Sequence, residues 1–575
     1  MENENQFDDP VVQAVKELFG MDYLFPYQRL VIGNILEAAQ AAGIPLRQQY
    51  RAPAVEQANE QFREKNEGEN GGKTEEEDRA SIGRQIVILP TGAGKSLCFQ
   101  LPAMMLEGPT LVIYPILSLM ADQERRLAEK GFAPVILRGA QTEEERNLIW
   151  QKLRSGESRF IIANPEVLLT PKVLKILGEL GIVHVVIDEA HCVSEWGESF
   201  RPSYLEIHRI IEASGAPLVT AFTATASALV LEKIEFFCFP SYDSGNDNDR
   251  VGGGGSSSGS PGYDSGNGNY RDVRSGRGGA HKIIGNPDRN NISYAARGCI
   301  LRDIAVRDLL FVNETPAIVF CSSRPGTEKL SRYLRNALGT NEIRFYHAGL
   351  EREEKTEVEK WFFSSENGIL VSTCAYGMGV DKPNIRTVIH RDCPPSVEAY
   401  LQESGRAGRD GAFSRAILLW GPDDEAACKR ARTDSDRQRL SDLFAFARDA
   451  AHCRREALLS LLNYEGEQSK PEGECCDVCS ARASPELREE EPVLSFFRKN
   501  RRAYRADEAS TALACAIVRA QKQDWTSRDA QNAIRYLIKV GKLTEIKHFP
   551  WKNHIDVGKK FFSSPSTRAE KRDLQ

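Results

Sequence analysis

Two adjacent carboxylates, Asp188 and Glu189, directly follow the apolar run of residues 183–187. The length and β-branched content of that run are typical of a buried parallel strand. Carboxylates at the carboxyl end of such a strand lie where open α/β sheets bind their ligands. The pair therefore predicts an acidic metal site at one edge of a sheet.

An aromatic-rich loop follows this acidic pair almost at once. Its distinguishing residues are Trp196, Phe200, Arg201 and Tyr204. Exposed aromatic rings beside an arginine suit stacking on unpaired bases. We therefore expect nucleotide hydrolysis and nucleic-acid binding to meet in the stretch 188–204.

A phosphate-binding loop is predicted at residues 90–96, Pro-Thr-Gly-Ala-Gly-Lys-Ser, between a strand-like run and a helical stretch. In that context the glycines let backbone N–H groups approach phosphate oxygens. Lys95 would reach the β- and γ-phosphates, and the Ser96 hydroxyl would hold Mg²⁺. The chain departs from the strict pattern at Leu89, where the pattern has glycine, and the alternative is an ordinary strand-to-helix turn.

Two arginines three positions apart, Arg406 and Arg409, lie in the glycine-containing stretch 402–411. Each presents a planar fork of donors, and the spacing places both on one helical face or at adjacent points of a turn. Supplied across a cleft to a triphosphate, they would neutralise transition-state charge as arginine fingers. A surface salt-bridge pair fits the residue types but not the flanking glycines.

The elements that must position these groups alternate between strand and helix, from residue 85 to 225 and again from 317 to 420. Such alternation predicts parallel sheets covered by helices on both faces. The polar stretch 45–80 is predicted to be an insertion with little core, helical at first and flexible later. Residues 241–279, rich in Gly, Ser, Asn and Asp, are predicted to be a flexible linker without secondary structure.

The amino-acid composition and net charge limit the classes of protein to which the chain can belong. A chain of 575 residues with 41% hydrophobic and 27% charged residues is typical of a soluble protein of several domains. It has neither a long apolar span nor an N-terminal signal pattern, so a cytosolic location without membrane contact is expected. The net charge of −6 argues against a uniformly basic binder. Residues 496–575, however, hold 18 Lys and Arg against 8 Asp and Glu, which is either a nucleic-acid footprint or a solvated surface.

Residues 15–480 resemble the RecQ family of DNA helicases within helicase superfamily 2. The matching motifs are the phosphate loop at 90–96, residues 114–123, Asp188-Glu189-Ala190-His191, the aromatic-rich loop at 192–204, and residues 220–226, 317–323, 345–350, 372–383 and 402–411. The resemblance implies an α/β fold with two RecA-like parallel-sheet domains, a small helical zinc-binding subdomain and a winged-helix-like C-terminal domain. The expected bounds are 1–240 for the first domain with a polar insertion at about 45–82, 241–282 for the linker, 283–425 for the second domain, 426–483 for the zinc-binding subdomain and 484–575 for the basic winged-helix-like domain.

The resemblance also implies roles for individual residues. ATP and Mg²⁺ would be bound by Gln28, Thr91, Gly92, Ala93, Gly94, Lys95 and Ser96. Asp188 would hold Mg²⁺ through water, Glu189 would activate the attacking water, and Gln402, Arg406 and Arg409 would complete the hydrolytic site. The residues that would couple hydrolysis to DNA are His191, Trp196, Phe200, Arg201, Thr223 and Thr225.

One departure concerns the nucleotide base. Gln28 stands at the family position that reads the adenine edge, but Met21 replaces the stacking tyrosine and Phe25 replaces an arginine. Met21 or Tyr23 is the alternative contact for the base. Strict selection of ATP is therefore an open question, whereas hydrolysis remains the expectation.

A cysteine cluster coincides with the family's zinc subdomain. Cys453 opens a predicted helix, and Cys475, Cys476 and Cys479 follow in a loop, so four thiolates are expected to hold zinc. Because Cys475 and Cys476 are adjacent, His452 or Asp477 could replace one of them as a ligand. The other interpretation is a group of reduced structural cysteines.

The C-terminal block combines an amphipathic helix around residues 529–538 with a short strand at 543–546. That order suits a winged helix on duplex DNA, and a small helical protein-interaction module is the alternative. The whole resemblance implies an ATP-dependent 3′→5′ DNA helicase in recombination and repair. Its expected partners are single-stranded and duplex DNA, with single-strand-binding and repair proteins, and the chain is expected to be monomeric and cytoplasmic, at the nucleoid in a bacterium. An RNA helicase and a nucleotide-switched DNA scaffold are the alternatives.

Overall fold

The computed structural model describes residues 10–50, 83–90, 93–195, 201–239, 270–273, 280–376, 382–431, 433–462, 464, 473–521 and 525–558. The chain forms two compact units, residues 1–288 with 459–469 and residues 289–458 with 470–575.

The first unit is built on an eight-stranded sheet. Its strands are β1 (Arg84–Ile88), β2 (Thr110–Ile113), β3 (Val135–Leu137), β4 (Phe160–Ala163), β5 (His184–Ile187), β6 (Leu218–Thr223), β7 (Tyr270–Val273) and β8 (His281–Gly285). They lie in the order β3-β4-β2-β5-β6-β1-β8-β7, and every pair is parallel except β7 with β8. The parallel sheet that the alternation predicted is thus confirmed, as is the RecA-like domain that the family resemblance implied.

Helices cover this sheet. They are α1 (Pro10–Phe19), α2 (Pro26–Ala41), α3 (Lys95–Met105), α4 (Leu117–Glu129), α5 (Glu143–Arg154), α6 (Pro165–Leu168), α7 (Pro171–Glu179), α8 (Cys192–Glu195), α9 (Ile207–Ser214) and α10 (Ala228–Cys238). Alternate side chains of each strand enter two separate apolar clusters. In β5, for example, Val185 and Ile187 belong to one cluster and Val186 to the other. Burial on both faces explains why these strands are almost wholly apolar.

The register of the sheet brings three strand ends together. Ile88 at the end of β1 pairs with Thr223 at the end of β6, and Ile187 at the end of β5 pairs with Ala221. The residues that follow these ends are the phosphate loop and the carboxylates Asp188 and Glu189. The motifs therefore meet at one carboxyl edge of one sheet, as open α/β sheets require.

Strands β7 and β8 correct the predicted linker, because residues 270–273 lie inside the stretch predicted to lack secondary structure and β8 begins before the predicted end at residue 282. Strand β8 pairs in parallel with β1 over residues 85–88, and β7 pairs with β8. Hydrogen bonding to β1 places this segment in the first unit, so the second unit begins at Arg289 rather than at residue 283. Residues 241–269 and 274–279 of the linker lie outside the described residues, as do residues 51–82 of the polar insertion. In the described part of that insertion, residues 48–50 form one turn of 3-10 helix.

The second unit contains a six-stranded, wholly parallel sheet. Its strands are β9 (Ile292–Gly298), β10 (Ala317–Phe320), β11 (Ile343–Tyr346), β12 (Ile369–Ser372), β13 (Thr387–His390) and β14 (Ser414–Trp420), in the order β11-β12-β10-β13-β14-β9. The connecting helices are α11 (Arg302–Val312), α12 (Arg324–Leu338), α13 (Arg352–Ser364) and α14 (Val397–Ser404). The prediction of two parallel-sheet domains is confirmed.

Helical segments follow this sheet. They are α15 (Pro422–Arg430), α16 (Asp434–Arg448), α17 (Arg454–Leu461), α18 (Glu490–Lys499), α19 (Ala506–Gln521) and α20 (Ser527–Lys539). An antiparallel hairpin, β15 (Leu543–Glu545) and β16 (Ile555–Val557), comes after α20. Helices α18 to α20 and the hairpin share one apolar cluster that includes Phe497, Leu513, Leu537 and Ile555. No helix in the described part of the chain has the length and hydropathy that a membrane crossing needs.

Candidate nucleotide-binding site and cysteine cluster

The phosphate loop ends at the first turn of α3. Gly94 is the residue before the helix and has φ 71°, a left-handed conformation that glycine adopts without steric cost. The chain turns there, with Ala93 N donating to Pro90 O over 3.1 Å and Leu97 N to Gly94 O over 3.0 Å. Lys95 and Ser96 are partly exposed at the positive end of the helix dipole, where a phosphate is favoured. The predicted loop residues Thr91 and Gly92 lie outside the described residues.

Gln28 is turned onto this loop. Its side-chain nitrogen donates to Ala93 O over 3.0 Å, and its side-chain oxygen accepts from Phe25 N over 3.0 Å. Tyr27 also donates its hydroxyl to Ala93 O, over 3.2 Å. A Cβ at position 94 would lie only 2.6 Å from the Gln28 nitrogen, so Gly94 allows this close contact. Gln28 is only 2% exposed, and both ends of its amide are engaged by backbone groups.

Aromatic rings beside Gln28 are open to solvent. Tyr23 is 62% exposed and Phe25 is 49% exposed. Phe25 stacks on Tyr27 with a centroid distance of 5.4 Å and an interplanar angle of 4°. Tyr23 meets Phe25 edge to face at 5.6 Å. The Tyr27 hydroxyl therefore links a short aromatic stack to the phosphate loop.

The two carboxylates after β5 occupy a constrained turn. Glu189 has φ 51°, which is uncommon for a non-glycine residue, and its N–H donates to Asp188 Oδ1 over 2.9 Å. Asp188 is buried. Burial raises the pKa of its carboxyl, the charge of Glu189 raises it further, and Lys95 acts in the opposite direction. Carboxylate oxygens at a buried strand end, at the same sheet edge as the helix start that carries the Ser96 hydroxyl, are a donor set that fits Mg²⁺.

His191 connects the acidic motif to the end of β6. Its Nδ1 lies 3.0 Å from Thr223 Oγ1 and 3.4 Å from a Glu189 carboxylate oxygen. The Thr223 hydroxyl in turn lies 3.0 Å from Thr225 O. Four of the residues predicted from separate motifs are therefore joined by direct polar contacts.

Arg201 ties the end of the aromatic-rich loop to two neighbouring strand ends. Its guanidinium meets both carboxylate oxygens of Glu166, at 2.7 and 2.6 Å, and also donates to Pro115 O. Sequence reasoning missed Glu166 as the partner of Arg201, although its position after β4 places it at the same sheet edge. Trp196 and Phe200 lie outside the described residues.

Arg406 and Arg409 follow α14 in the second unit. We call residues 405–409 the arginine loop. Arg406 is buried and Gln402 is partly buried. Helix α14 is fixed to β13 by Glu403, whose carboxylate lies 2.9 Å from His390 Nε2. Arg406 and Arg409 therefore follow a helix whose C-terminal end is joined to the sheet.

Two residues that sequence reasoning missed contact the arginine loop. Arg289 donates to the carbonyl oxygens of residues 405, 407 and 408, and Asn291 donates to Gly408 O. Both stand in the short segment before β9, where neither spacing nor composition singles them out. A contact between a side chain and a distant carbonyl leaves no signal in the sequence, since every residue has a carbonyl.

The four predicted cysteines come together. The sulfurs of Cys453, Cys475, Cys476 and Cys479 all lie within 4.8 Å of one another. Cys453 Sγ is 3.7 Å from Cys475 Sγ and 3.9 Å from Cys476 Sγ. A tetrahedral zinc ion with Zn–S bonds of about 2.3 Å separates its sulfurs by about 3.8 Å, so this donor set fits zinc.

The alternative ligands are engaged elsewhere. His452 Nδ1 lies 2.7 Å from the Asp449 carboxylate, and the Asp477 carboxylate accepts from Arg454 Nε over 2.9 Å. Among the described residues, the four thiols are the group whose atoms converge as metal ligands. Adjacent Cys475 and Cys476 both take part in it.

Comparison with known proteins identifies helicase families in this chain. The DEAD/DEAH box helicase family matches residues 78–234, and the helicase conserved C-terminal domain family matches residues 302–411. The chain is 32% identical to the ATP-dependent DNA helicase RecQ of Pasteurella multocida over 418 residues, which are 71% of this chain and 59% of that protein. It is 30% identical to the ATP-dependent DNA helicase RecQ of Bacillus subtilis, over 71% of this chain and 64% of that protein. Among solved structures it is similar to the DUF1998 helicase MrfA bound to DNA, with a TM-score of 0.47 and 16% identity over 98% of this chain and 60% of that one.

The chain thus spans about three fifths of the length of these curated relatives. The two matched helicase families cover strands β1 to β6 of the first sheet and β10 to β13 of the second. The match to the RecQ of Pasteurella multocida covers 71% of the chain. The chain belongs to the RecQ family of superfamily 2 helicases.

Proposed function

We propose that this protein is an ATP-dependent DNA helicase that moves 3′→5′ and acts in recombination and repair. The observation that carries the proposal is the meeting, at one sheet edge, of Lys95 and Ser96 at a helix N-terminus with Asp188 and Glu189. This is the arrangement that phosphoryl transfer requires, because catalysis of that reaction rests on positioning and charge stabilisation. Curated relatives with RecQ names support DNA as the nucleic acid.

In this proposal the residues of the first unit have separate roles in ATP hydrolysis. Lys95 and the N–H groups at the start of α3 hold the phosphates, while Ser96 and Asp188 hold Mg²⁺. The metal, when bound, neutralises charge that develops on the phosphate oxygens. Glu189 accepts a proton from the attacking water in this proposal.

The second unit supplies positive charge in this proposal. Gln402, Arg406 and Arg409 act on the triphosphate when the cleft closes, and arginines in such a role accelerate hydrolysis by about 10³–10⁵. His191, Thr223 and Thr225 relay that closure toward DNA. Trp196, Phe200 and Arg201 sense the single strand.

Zinc has a structural role in the proposal. Cys453, Cys475, Cys476 and Cys479 hold it as a closed four-thiolate site, the arrangement of structural rather than catalytic zinc. The site fastens α17 to the loop that carries the last three cysteines.

The C-terminal helices α18 to α20 and the hairpin act as a winged helix on duplex DNA. Three helices that share a core with a two-stranded hairpin support this assignment. The turn of the hairpin presents Phe549, which is 93% exposed, between the cations Lys547 and Lys552. An exposed ring flanked by cations suits an opened base pair beside a phosphate backbone. A protein-interaction module would be the alternative use of the same surface.

Strand displacement on 3′-tailed, 5′-tailed, forked and blunt DNA, with and without ATP, tests the function. We expect ATP-dependent unwinding of the 3′-tailed and forked duplexes, together with ATP hydrolysis stimulated by single-stranded DNA. Stimulation by RNA alone would indicate an RNA helicase, and unwinding of only 5′-tailed duplexes would contradict the polarity.

Replacing Lys95 with Ala separates a motor from a nucleotide-switched scaffold. A motor loses ATP hydrolysis and unwinding, whereas a scaffold keeps its DNA-dependent activity. The monomeric state, the cytoplasmic or nucleoid location, and the single-strand-binding and repair partners stay predictions.

A further inference from the structure

We infer that Arg289 and Arg455 are positioning residues that hold the arginine loop and join it to the cysteine cluster. The inference rests on the proposed role of Arg406 and Arg409 in ATP hydrolysis. It adds a structural connection between the cysteine cluster and the rate of ATP hydrolysis. This connection lies wholly inside the second unit.

Arg289 binds the backbone of the arginine loop at three points. Its guanidinium nitrogens donate to Gly405 O over 3.3 Å, to Ala407 O over 3.3 Å and to Gly408 O over 2.8 Å. These carbonyls bracket Arg406 and directly precede Arg409. The Gly405 carbonyl belongs to the peptide plane that precedes Arg406, and the Gly408 carbonyl to the plane that precedes Arg409. Fixing these planes restrains the direction in which the Cβ of each arginine leaves the chain.

Asn291 completes the contact. Its side-chain nitrogen donates to Gly408 O over 2.8 Å and to Ala412 O over 2.9 Å. Gly408 has φ 55°, and a Cβ there would lie 2.5 Å from both Ala412 O and the Asn291 nitrogen. The loop is therefore tight, and small movements of the segment 289–291 must move it.

Charge supports the same contact. Burial lowers the pKa of Arg289, and the nearby positive charge of Arg409 lowers it as well. A partly buried cation beside another cation is costly unless carbonyl dipoles compensate it. The three carbonyls of the arginine loop supply that compensation, which explains why Arg289 faces them.

Arg455 holds the segment that carries Arg289. It is 2% exposed, and it donates to Arg289 O over 3.0 Å and to Ile292 O over 2.6 Å. It stands two positions after Cys453 in the first turn of α17. The same guanidinium lies over the ring of Tyr294 at 5.5 Å.

The cysteine loop is joined to the same strand by its backbone. Tyr294 N donates to Cys475 O over 3.3 Å, and Asp477 N donates to Tyr294 O over 3.1 Å. Asp477 also accepts from Ala296 N over 3.0 Å. The loop that carries Cys475 and Asp477 thus extends the sheet beyond its edge strand β9. The segments that carry the cysteines therefore contact β9 both through α17 and through this loop.

The consequence is a short chain of direct contacts from the cysteines to the arginine loop. Cys453 lies two residues before Arg455, and the Cys475 carbonyl accepts a hydrogen bond from β9. Arg455 and β9 in turn hold the segment 289–291 in place. Arg289, in that segment, holds the arginine loop. A purely structural Arg289 would alter stability alone. A positioning residue would alter the catalytic step without altering nucleotide binding, which depends on the first unit.

The test compares Arg289→Ala, Arg289→Lys and Arg455→Ala in the full chain. The matched control is Arg335→Ala, because Arg335 also donates to a backbone carbonyl of the second unit, Ile343 O at 2.8 Å, away from the arginine loop. We expect Arg289→Ala to lower kcat for ATP at saturating single-stranded DNA by about 10- to 100-fold, the size of effect that misplacement by about 1 Å produces. The affinity for fluorescent ADP, the zinc content and the melting temperature should match those of Arg335→Ala.

Arg289→Lys should restore part of kcat, because a lysine reaches one or two of the three carbonyls. Amide hydrogen exchange gives a second reading that is independent of activity. Residues 405–412 should exchange faster in Arg289→Ala and Arg455→Ala, with zinc retained, and at the wild-type rate in Arg335→Ala.

An unchanged kcat in Arg289→Ala, or a loss of kcat that follows a loss of ADP affinity or melting temperature, would overturn the inference. Unchanged exchange at residues 405–412 would overturn it as well, and Arg289→Lys decides the matter if the alanine variant does not fold. Failure of the wild-type protein to hydrolyse ATP would instead overturn the proposed function. The exchange measurement would still show whether Arg289 holds the arginine loop in place.

Discussion

The Thr223 hydroxyl lies 3.0 Å from Nδ1 of His191, and His191 is in turn 3.4 Å from the Glu189 carboxylate. Thr223 ends strand β6, whereas His191 and Glu189 follow β5, so this contact crosses between two strand ends. It gives a direct route by which a change at the Glu189 carboxylate alters the chain after β6.

Replacing Thr223 with Val should therefore uncouple the enzyme. The variant keeps the shape of the side chain but loses two buried hydrogen bonds of the hydroxyl, to His191 Nδ1 and to Thr225 O, each of which contributes about 1 kcal/mol. We expect the number of base pairs unwound per ATP hydrolysed to fall several-fold. Equal losses of ATP hydrolysis and strand displacement would show that the contact merely supports the hydrolytic site.

The aromatic stack beside the phosphate loop should allow the protein to hydrolyse nucleotides with a purine base other than adenine. Gln28 is engaged by Phe25 N and Ala93 O, while the rings of Tyr23 and Phe25 are exposed and every purine has a face that stacks. We expect GTP to be hydrolysed with kcat/KM within about tenfold of the ATP value, since stacking contributes about 1–3 kcal/mol for any base.

Replacing Tyr23 with Ala should raise KM for both nucleotides. Phe236→Ala is the matched control, because Phe236 is an exposed ring of the same unit at a helix away from the phosphate loop. Activity with ATP alone in the wild-type protein would show that Gln28 turns away from Ala93 and reads the adenine edge.

The Asp188 carboxyl should make activity depend on pH and Mg²⁺ together. Burial and then the charge of Glu189 raise its pKa above the usual range of a carboxyl, so on acidification Asp188 takes up a proton before an ordinary Asp does. A proton and Mg²⁺ compete for the same oxygens. We expect the acidic limb of the ATPase profile to shift to lower pH as Mg²⁺ is raised. An acidic limb that stays fixed over a hundredfold range of Mg²⁺ would exclude this competition.

His184 should make the first unit sensitive to acid. It is fully buried at the start of β5, and burial lowers its pKa to about 3. Because the unfolded state binds a proton near pH 6.5 and the folded state does not, stability is lost as pH falls below that value. The loss amounts to about 1.4 kcal/mol for each pH unit down toward the folded-state pKa.

Urea unfolding at pH 7 and pH 5.5 measures this effect. His184→Gln keeps a polar group opposite Thr220, whose hydroxyl lies 2.9 Å from His184 Nε2, but removes the titration. The variant should show a smaller difference between the two pH values than the wild-type protein. An identical difference would assign the acid sensitivity to other groups.

The cysteine cluster should bind one zinc ion per chain. Metal analysis of Cys476→Ser is expected to show loss of zinc, because three thiolates leave the tetrahedral site open. Cys515→Ser is the control, since Cys515 is an exposed thiol on α19 outside the cluster. Retention of zinc by Cys476→Ser would indicate that Asp477 or His452 takes the vacant position.

The sequence by itself determined the parts of the site that depend on local geometry. A strand, a glycine-containing turn and a helix that begins at Lys95 place backbone N–H groups at one point whatever surrounds them. A β-branched run that ends in Asp188 and Glu189 likewise places carboxylates at a sheet edge. These motifs predict two parallel sheets because each follows a strand, and the strand pairing of both sheets, parallel except for β7 with β8, agrees with that prediction.

The tertiary structure alone decided the contacts between segments that are distant in the chain. It assigned residues 281–285 to the first sheet, although their surroundings have the composition of a linker. It turned Gln28 onto Ala93 O, showed that adjacent Cys475 and Cys476 both join the cluster, and placed Arg289 on the arginine loop. The physical reason is common to all of them: strand pairing and carbonyl acceptance use backbone groups that every residue carries, so residue types cannot show which partner is chosen.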